Sequence, residues 1–173
     1  MNFRKLDIPD VILCQPSIHY DERGYFTETF KQSEFEAFIG KSVNFCQENE
    51  AKSSYGVIRG LHYQLNPFAQ AKLVRVTQGA VLDVVVDIRV GSKTFGKHIT
   101  IELNAENKKQ IYIPRGFAHG FVVLKDDTKF LYRVDNYYSN ESERGIAFND
   151  PELGIDWIIN PNDFKLSKKD SNL

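Results

Sequence analysis

The strongest constraint on the fold is a succession of short runs, between residues 43 and 134, in which apolar and polar residues alternate with almost no stretch left for a long helix. Segments 43–49, 56–64, 72–76, 80–88, 98–103, 109–113, 118–124 and 129–134 read as strands, and Gly- or Asn-bearing turns separate them. In segment 80–88, Asp83 and Asp87 fall on one parity and Leu82, Val84, Val86 and Ile88 on the other, which predicts a strand with one buried face. Ahead of this region, 3–6 and 11–14 read as strands around a turn at Pro9-Asp10. A turn over 21–24 leads into a half-wet strand at 25–30. The one convincing helix of the first half opens with Ser33-Glu34-Phe35-Glu36 as a capping box, carries Phe35, Phe38 and Ile39 at helical spacing, and ends at Gly40. After Tyr138 the pattern becomes irregular, with one turn of helix expected over 163–166. Roughly ten short strands of this kind predict an all-β antiparallel sandwich or jelly roll with a few short peripheral helices.

At 173 residues the chain suits a single domain spanning 1–173. Its 22 basic and 23 acidic residues are interspersed and sum to −1, so no electrostatic footprint for nucleic acid or a membrane surface is expected. Any bound anion must therefore be held by a local cluster. Cys14 and Cys46 lack metal-ligand spacing and read as two thiols of a reducing compartment, with a disulfide between them left open. The charged N-terminus has no apolar core of a signal segment and no 18-residue apolar run occurs, which predicts a cytoplasmic protein.

Three stretches carry residues capable of chemistry. Arg59-Gly60-Leu61-His62-Tyr63-Gln64 holds Arg and His three apart, a spacing that points side chains to opposite faces of a regular strand. Gly60 between them permits a bulge or unusual dihedrals that bring both to one cavity. Segment 113–121 sets Ala118-His119 between two glycines after a Pro114-Arg115-Gly116 turn. Segment 131–138 holds Tyr132, Tyr137 and Tyr138, and a tyrosine hydroxyl in a cavity can act as a general acid. Taken singly, each stretch fits an ordinary strand or turn equally well. The four histidines, His19, His62, His98 and His119, show no H-x-H or H-x-x-x-H spacing, so no metal is expected.

In combination and in order, these stretches resemble the dTDP-4-dehydrorhamnose 3,5-epimerase family, cupin-like jelly rolls acting on nucleotide-linked 4-keto-6-deoxy sugars. The matching segments run from Asp21-Glu22-Arg23-Gly24-Tyr25-Phe26, through 47–49, 56–64, 72–76, 87–89, 92–97 and 113–121, to Asn149-Asp150-Pro151 and the tail at 166–170. The resemblance implies a cofactor-independent epimerase in which His62 removes the proton beside the ketone and Asp170 fixes the imidazole. It makes Lys72 the stabiliser of the enolate and Tyr132 the acid on the opposite face. Arg23 and Arg59 would contact the diphosphate and Phe26 would stack on the base, with Glu28, Gln47, Asn49, His119, Tyr138, Glu143 and Lys169 as further substrate contacts. The dTDP-linked substrate is the leading reading. A single-centre epimerase or a GDP- or heptose-specific relative is the alternative, followed by a 3,4-ketoisomerase and a non-catalytic nucleotide-sugar binder. The resemblance also implies a homodimer in which N-terminal strands pass to the partner. Glu48 and Arg115 depart from the family pattern, where Asp and Glu are common, and the tail ends unusually soon after Asp170. Composition alone reads that tail as a frayed, solvated end.

Overall fold

The computed structural model describes residues 1–173 as thirteen strands and one short α-helix. The strands are β1 (Asn2–Lys5), β2 (Ile12–Gln15), β3 (Ile18–Asp21), β4 (Gly24–Thr27), β5 (Gln47–Ser53), β6 (Ile58–Gln64), β7 (Lys72–Gln78), β8 (Ala80–Asp87), β9 (His98–Asn104), β10 (Gln110–Ile113), β11 (Phe117–Val123), β12 (Thr128–Val134) and β13 (Glu143–Gly145). Pairing within the sheets is antiparallel throughout. A six-stranded sheet in the order β1-β2-β10-β7-β12-β5 faces a five-stranded sheet in the order β13-β6-β11-β8-β9, and β3-β4 form a separate hairpin. This is the jelly-roll sandwich expected.

The main core lies between the two large sheets, where Val74, Val76, Ile111, Ile113 and Phe130 of one meet Val81, Val85, Phe117, Phe121 and Val123 of the other. The five-stranded sheet is also covered on its outer side. Leu82, Val84, Val86, Ala118 and Val122 pack there against Trp157, Phe148, Phe164 and Leu166 of the long C-terminal segment. All eight residues of β8 are consequently buried, which corrects the one-sided strand read from its alternation. Parity did sort the residues correctly, since odd positions face the inter-sheet core and even positions the C-terminal layer. Burial of the second face depends on a segment some seventy residues away.

The helix, α1 (Gln32–Ile39), begins earlier than its proposed cap. Lys31 is the N-cap, in extended conformation and without a side-chain cap, so Ser33 lies inside the first turn. Lys31 Nζ to Glu34 Oε1 at 2.8 Å and Gln32 Nε2 to Glu36 Oε1 at 3.1 Å brace that turn instead. Gly40 does close the helix, at φ 72°. Phe35 is buried against Ile12, Leu73 and Tyr112, whereas Phe38 stays 39% exposed.

Three further boundaries move. Residues 43–46 are not strand, because Val43 and Phe45 are drawn over α1 into its apolar cluster and β5 starts only at Gln47. The strand expected at 25–30 stops at Thr27 within the hairpin. The turn expected over 163–166 is displaced to 3-10 turns at Pro161–Asp163 and Asp170–Asn172. Lys165 is extended, forming a parallel bridge to Val57 that stitches the tail to the mouth of β6. Cys14 and Cys46 are free thiols, and no helix is long and apolar enough to cross a membrane.

Candidate active site

A cavity of about 500 Å³ opens between the sheets, within the size range of small-molecule sites. Its walls come from β6, β7, β11, β12, Glu143 of β13 and the tail at 165–170. Arg59 and His62 both line it, as the glycine between them was expected to allow. Gly60 has φ 131°, and a Cβ there would sit 2.5 Å from Gly120 Cα. Two facing glycines thus let β6 and β11 approach closely. The register is irregular between His119 and Phe121, so that His62 faces His119 while Arg59 faces Phe121.

His62 Nε2 lies 2.6 Å from Asp170 Oδ1, across 108 residues of sequence. Asp170 is only 5% exposed, and the tail that carries it is docked rather than frayed. Ser167 Oγ holds Asp170 twice, donating to carboxylate Oδ2 at 2.9 Å and accepting from the Asp170 backbone N–H at 3.0 Å. With Asp170 as acceptor, Nε2 carries the imidazole proton and Nδ1 keeps its lone pair. Burial depresses the His62 pKa, Asp170 opposes that, and Lys169 and Lys72 reinforce it. The imidazole is therefore neutral at neutral pH, the state a general base requires.

Lys72 opens β7 with Nζ 3.5 Å from the His62 carbonyl oxygen. Burial lowers its pKa to about 8, against the opposing pull of Asp83 and then Glu143. It is a cation held just above the titration range of neutral water, suited to an oxygen that gains negative charge. Burial raises the pKa of Tyr132, which pairs with Asn49 across β12 and β5, so its phenol stays protonated as an acid must. At the mouth, Tyr138 donates to Glu143 at 2.7 Å and Lys169 pairs with the other Glu143 oxygen at 2.5 Å. Burial of Glu143 pushes its pKa up, but those two bonds outweigh it and hold the group ionised.

The structure thus gathers His62, Lys72, Tyr132, Asp170, Arg59, His119, Tyr138, Glu143 and Lys169 around one cavity. Gln47 and Asn49 are bonded to each other at 2.8 Å and share a β5 face with Ala51, which does line it. Arg23, Phe26 and Glu28 are not brought in. Arg23 is paired with Asp21 at 2.6 Å on the projecting hairpin, its side chain 85% exposed, and Phe26 is 71% exposed.

Two participants escaped sequence reasoning. One is Ser167, hidden in an unremarkable polar tail. The other is Asp83, fully buried, whose Oδ2 accepts from His119 Nε2 at 2.9 Å while Oδ1 has no partner. A carboxylate inside an apolar run was its signal, since such a group is retained only with a partner or a task. Phe121 and Phe130, stacked at 4.2 Å between centroids, floor the cavity. The departures from the family pattern are absorbed by ion pairs, Glu48 with Arg133 at 2.6 Å and Arg115 with Asp135 at 3.0 Å. No group of three His, Cys, Asp or Glu side chains is disposed to hold a metal.

Comparison with known proteins agrees with the fold. The chain is 52% identical over 173 residues to the dTDP-4-dehydrorhamnose 3,5-epimerase of Shigella flexneri, covering 99% of this chain and 94% of that protein. The crystal structure of the Elizabethkingia anophelis protein of the same description superposes with a TM-score of 0.96 at 50% identity, over 99% of this chain and 94% of that one. A Legionella pneumophila dTDP-6-deoxy-D-glucose-3,5-epimerase, solved with dTDP-4-keto-L-rhamnose, superposes at 0.94 with 44% identity, over 99% and 90%. Residues 5–173 match the family described as dTDP-4-dehydrorhamnose 3,5-epimerase, and the chain belongs to that family.

Proposed function

We propose that this protein epimerises dTDP-4-dehydro-6-deoxy-D-glucose at C3 and C5 to give dTDP-4-dehydro-L-rhamnose. The observation that carries the reading is the placement of half-buried His62 with its buried partner Asp170, cationic Lys72 and protonated Tyr132 around one cavity. A hydrogen on carbon beside a ketone becomes removable when the developing enolate oxygen is stabilised. His62 Nδ1 takes that proton, and Asp170 stabilises the resulting imidazolium through Nε2–H. Lys72 holds the C4 oxygen as it gains charge. Tyr132 then delivers a proton to the other face, which inverts the centre; before the next cycle His62 loses its proton to solvent and the Tyr132 phenolate regains one from it. The C3 and C5 hydrogens both flank the C4 carbonyl, so one enolate-stabilising cation serves both inversions.

Arg59 and Lys169 supply the positive charge for the diphosphate near the mouth. Tyr138 and Glu143 border the same opening, and His119, Gln47 and Asn49 complete the contacts to the substrate. Arg23, Phe26 and Glu28 complete the cavity of a partner subunit in a homodimer. Two features favour this: a hairpin whose Tyr20, Tyr25 and Phe26 are 74%, 53% and 71% exposed, and the unpaired outer edge of β5. The test is NMR of the purified protein with the dTDP-4-keto sugar in D₂O. Deuterium at both C3 and C5 is expected. Deuterium at one centre reduces the activity to mono-epimerisation, and at neither it removes the epimerase reading.

A further inference from the structure

A second cavity, of about 430 Å³, lies on the outer side of the six-stranded sheet and shares no lining residue with the first. Its apolar surface comes from Phe38 and Ile39 of α1, with the nearly buried Ile12 and Tyr112 beside them, and Lys5, Lys41 and Arg115 also line it. Tyr112 lines this cavity and is only 2% exposed, yet its hydroxyl takes no hydrogen-bond partner within the chain. Burial, with the nearby Asp135 carboxylate, pushes that phenol up to about 12 against the influence of Arg115, so it is a neutral donor in the physiological range.

The charges around the cavity are unequally committed. Asp10 is taken by Arg89 at 2.9 Å, and Asp135 by Arg115 at 3.0 Å and by the Ala71 amide at 2.6 Å. Lys5 and Lys41 have no ion pair, and Lys41 Nζ stands 5.9 Å over the Tyr112 ring. The exposed Phe38 ring with Ile39 beside it, a hydroxyl donor and two unpaired cations match an aromatic ring that bears an anionic head. The ring replaces water on the Phe38 and Ile39 surface. The head accepts charge-assisted hydrogen bonds from lysine while the phenol donates one more. Inorganic anions lack the ring, and neutral aromatics leave the ammonium groups unused.

We propose that this outer cavity is a second ligand site of the protein, for a small aryl anion, independent of the substrate cavity. The probe is phenyl phosphate, titrated into ¹⁵N-labelled protein whose substrate cavity is saturated with dTDP. The expected result is saturable shifts of the Lys41, Ser42, Tyr112 and Arg115 amides with a dissociation constant in the range of about 0.1–1 mM, and binding of inorganic phosphate or phenol at least about tenfold weaker. Lys41→Glu, a change at an exposed residue outside every ion pair, is expected to weaken phenyl phosphate by about tenfold or more. Tyr112→Phe removes only the hydroxyl and is expected to weaken it several-fold, with an unchanged circular dichroism spectrum. Three results overturn the proposal: no saturable shift at these amides up to about 10 mM, shifts confined to His62, Tyr132 and their neighbours, or equal affinity in wild type and Lys41→Glu.

Discussion

At the scale of single residues, the account rests on electrostatics that can be titrated. The base must be neutral and burial holds His62 below the ordinary imidazole value, so kcat/KM should persist well into mildly acidic solution. The enolate-holding lysine must be charged, and its pKa of about 8 sets the alkaline limb of the profile. Asp83 and Glu143 are the carboxylates that hold Lys72 up against its burial. Asp83→Asn removes the larger of these supports, lowers the Lys72 pKa further, and should move the alkaline limb to lower pH while loosening His119. A profile unchanged from wild type would place Asp83 outside the chemistry. His62→Ala should cost about 10²–10⁴ in kcat, the usual worth of a positioned base. Asp170→Asn should cost a comparable factor with little change in KM, because an amide no longer sets the tautomer.

At the scale of elements, close approach and docking decide the site. Gly60→Ala introduces a Cβ 2.5 Å from Gly120 Cα at a φ of 131°, and should destabilise the fold by about 3 kcal/mol, read from the urea midpoint. Truncation after Ser167 removes Asp170 while leaving the Lys165 bridge and Leu166 packing, so activity should collapse with a much smaller loss of stability. These two elements also show where sequence reading reached and where it stopped. The alternation in β7 to β12 is a local property, and it placed those strands correctly. Gly60 between Arg59 and His62 signalled that the two could share a cavity, because only a glycine relaxes the strand there. The second buried face of β8 was invisible, since it is made by Trp157 and Phe164 far along the chain. The displaced helix start has a similar cause: Ser33 suits a cap, but the ion pair of Lys31 with Glu34 and the packing of Phe35 fix the first turn two residues earlier than a Ser33 cap allows. The docking of Asp170 has no local signature at all. It came from family resemblance, and composition argued the reverse.

At the scale of the whole molecule, one chain presents the acid and base but leaves Arg23 and Phe26 on a hairpin, and Glu28 just after it, outside the cavity. Sedimentation should therefore report a dimer. Mixing Arg23→Ala chains with His62→Ala chains should recover activity above either parent, because one mixed cavity then holds both an intact base and an intact arginine from its neighbour. Recovery no greater than the sum of the parents would confine each site to its own chain. The central claim is that His62 and Tyr132 work on opposite faces of a single enolate. It is tested most directly by Tyr132→Phe incubated with the dTDP-4-keto sugar in D₂O. The account predicts deuterium entering the recovered starting sugar with retained configuration and little inverted product, since His62 still removes and returns protons on its own face. Inverted product formed by Tyr132→Phe at the wild-type rate would contradict it.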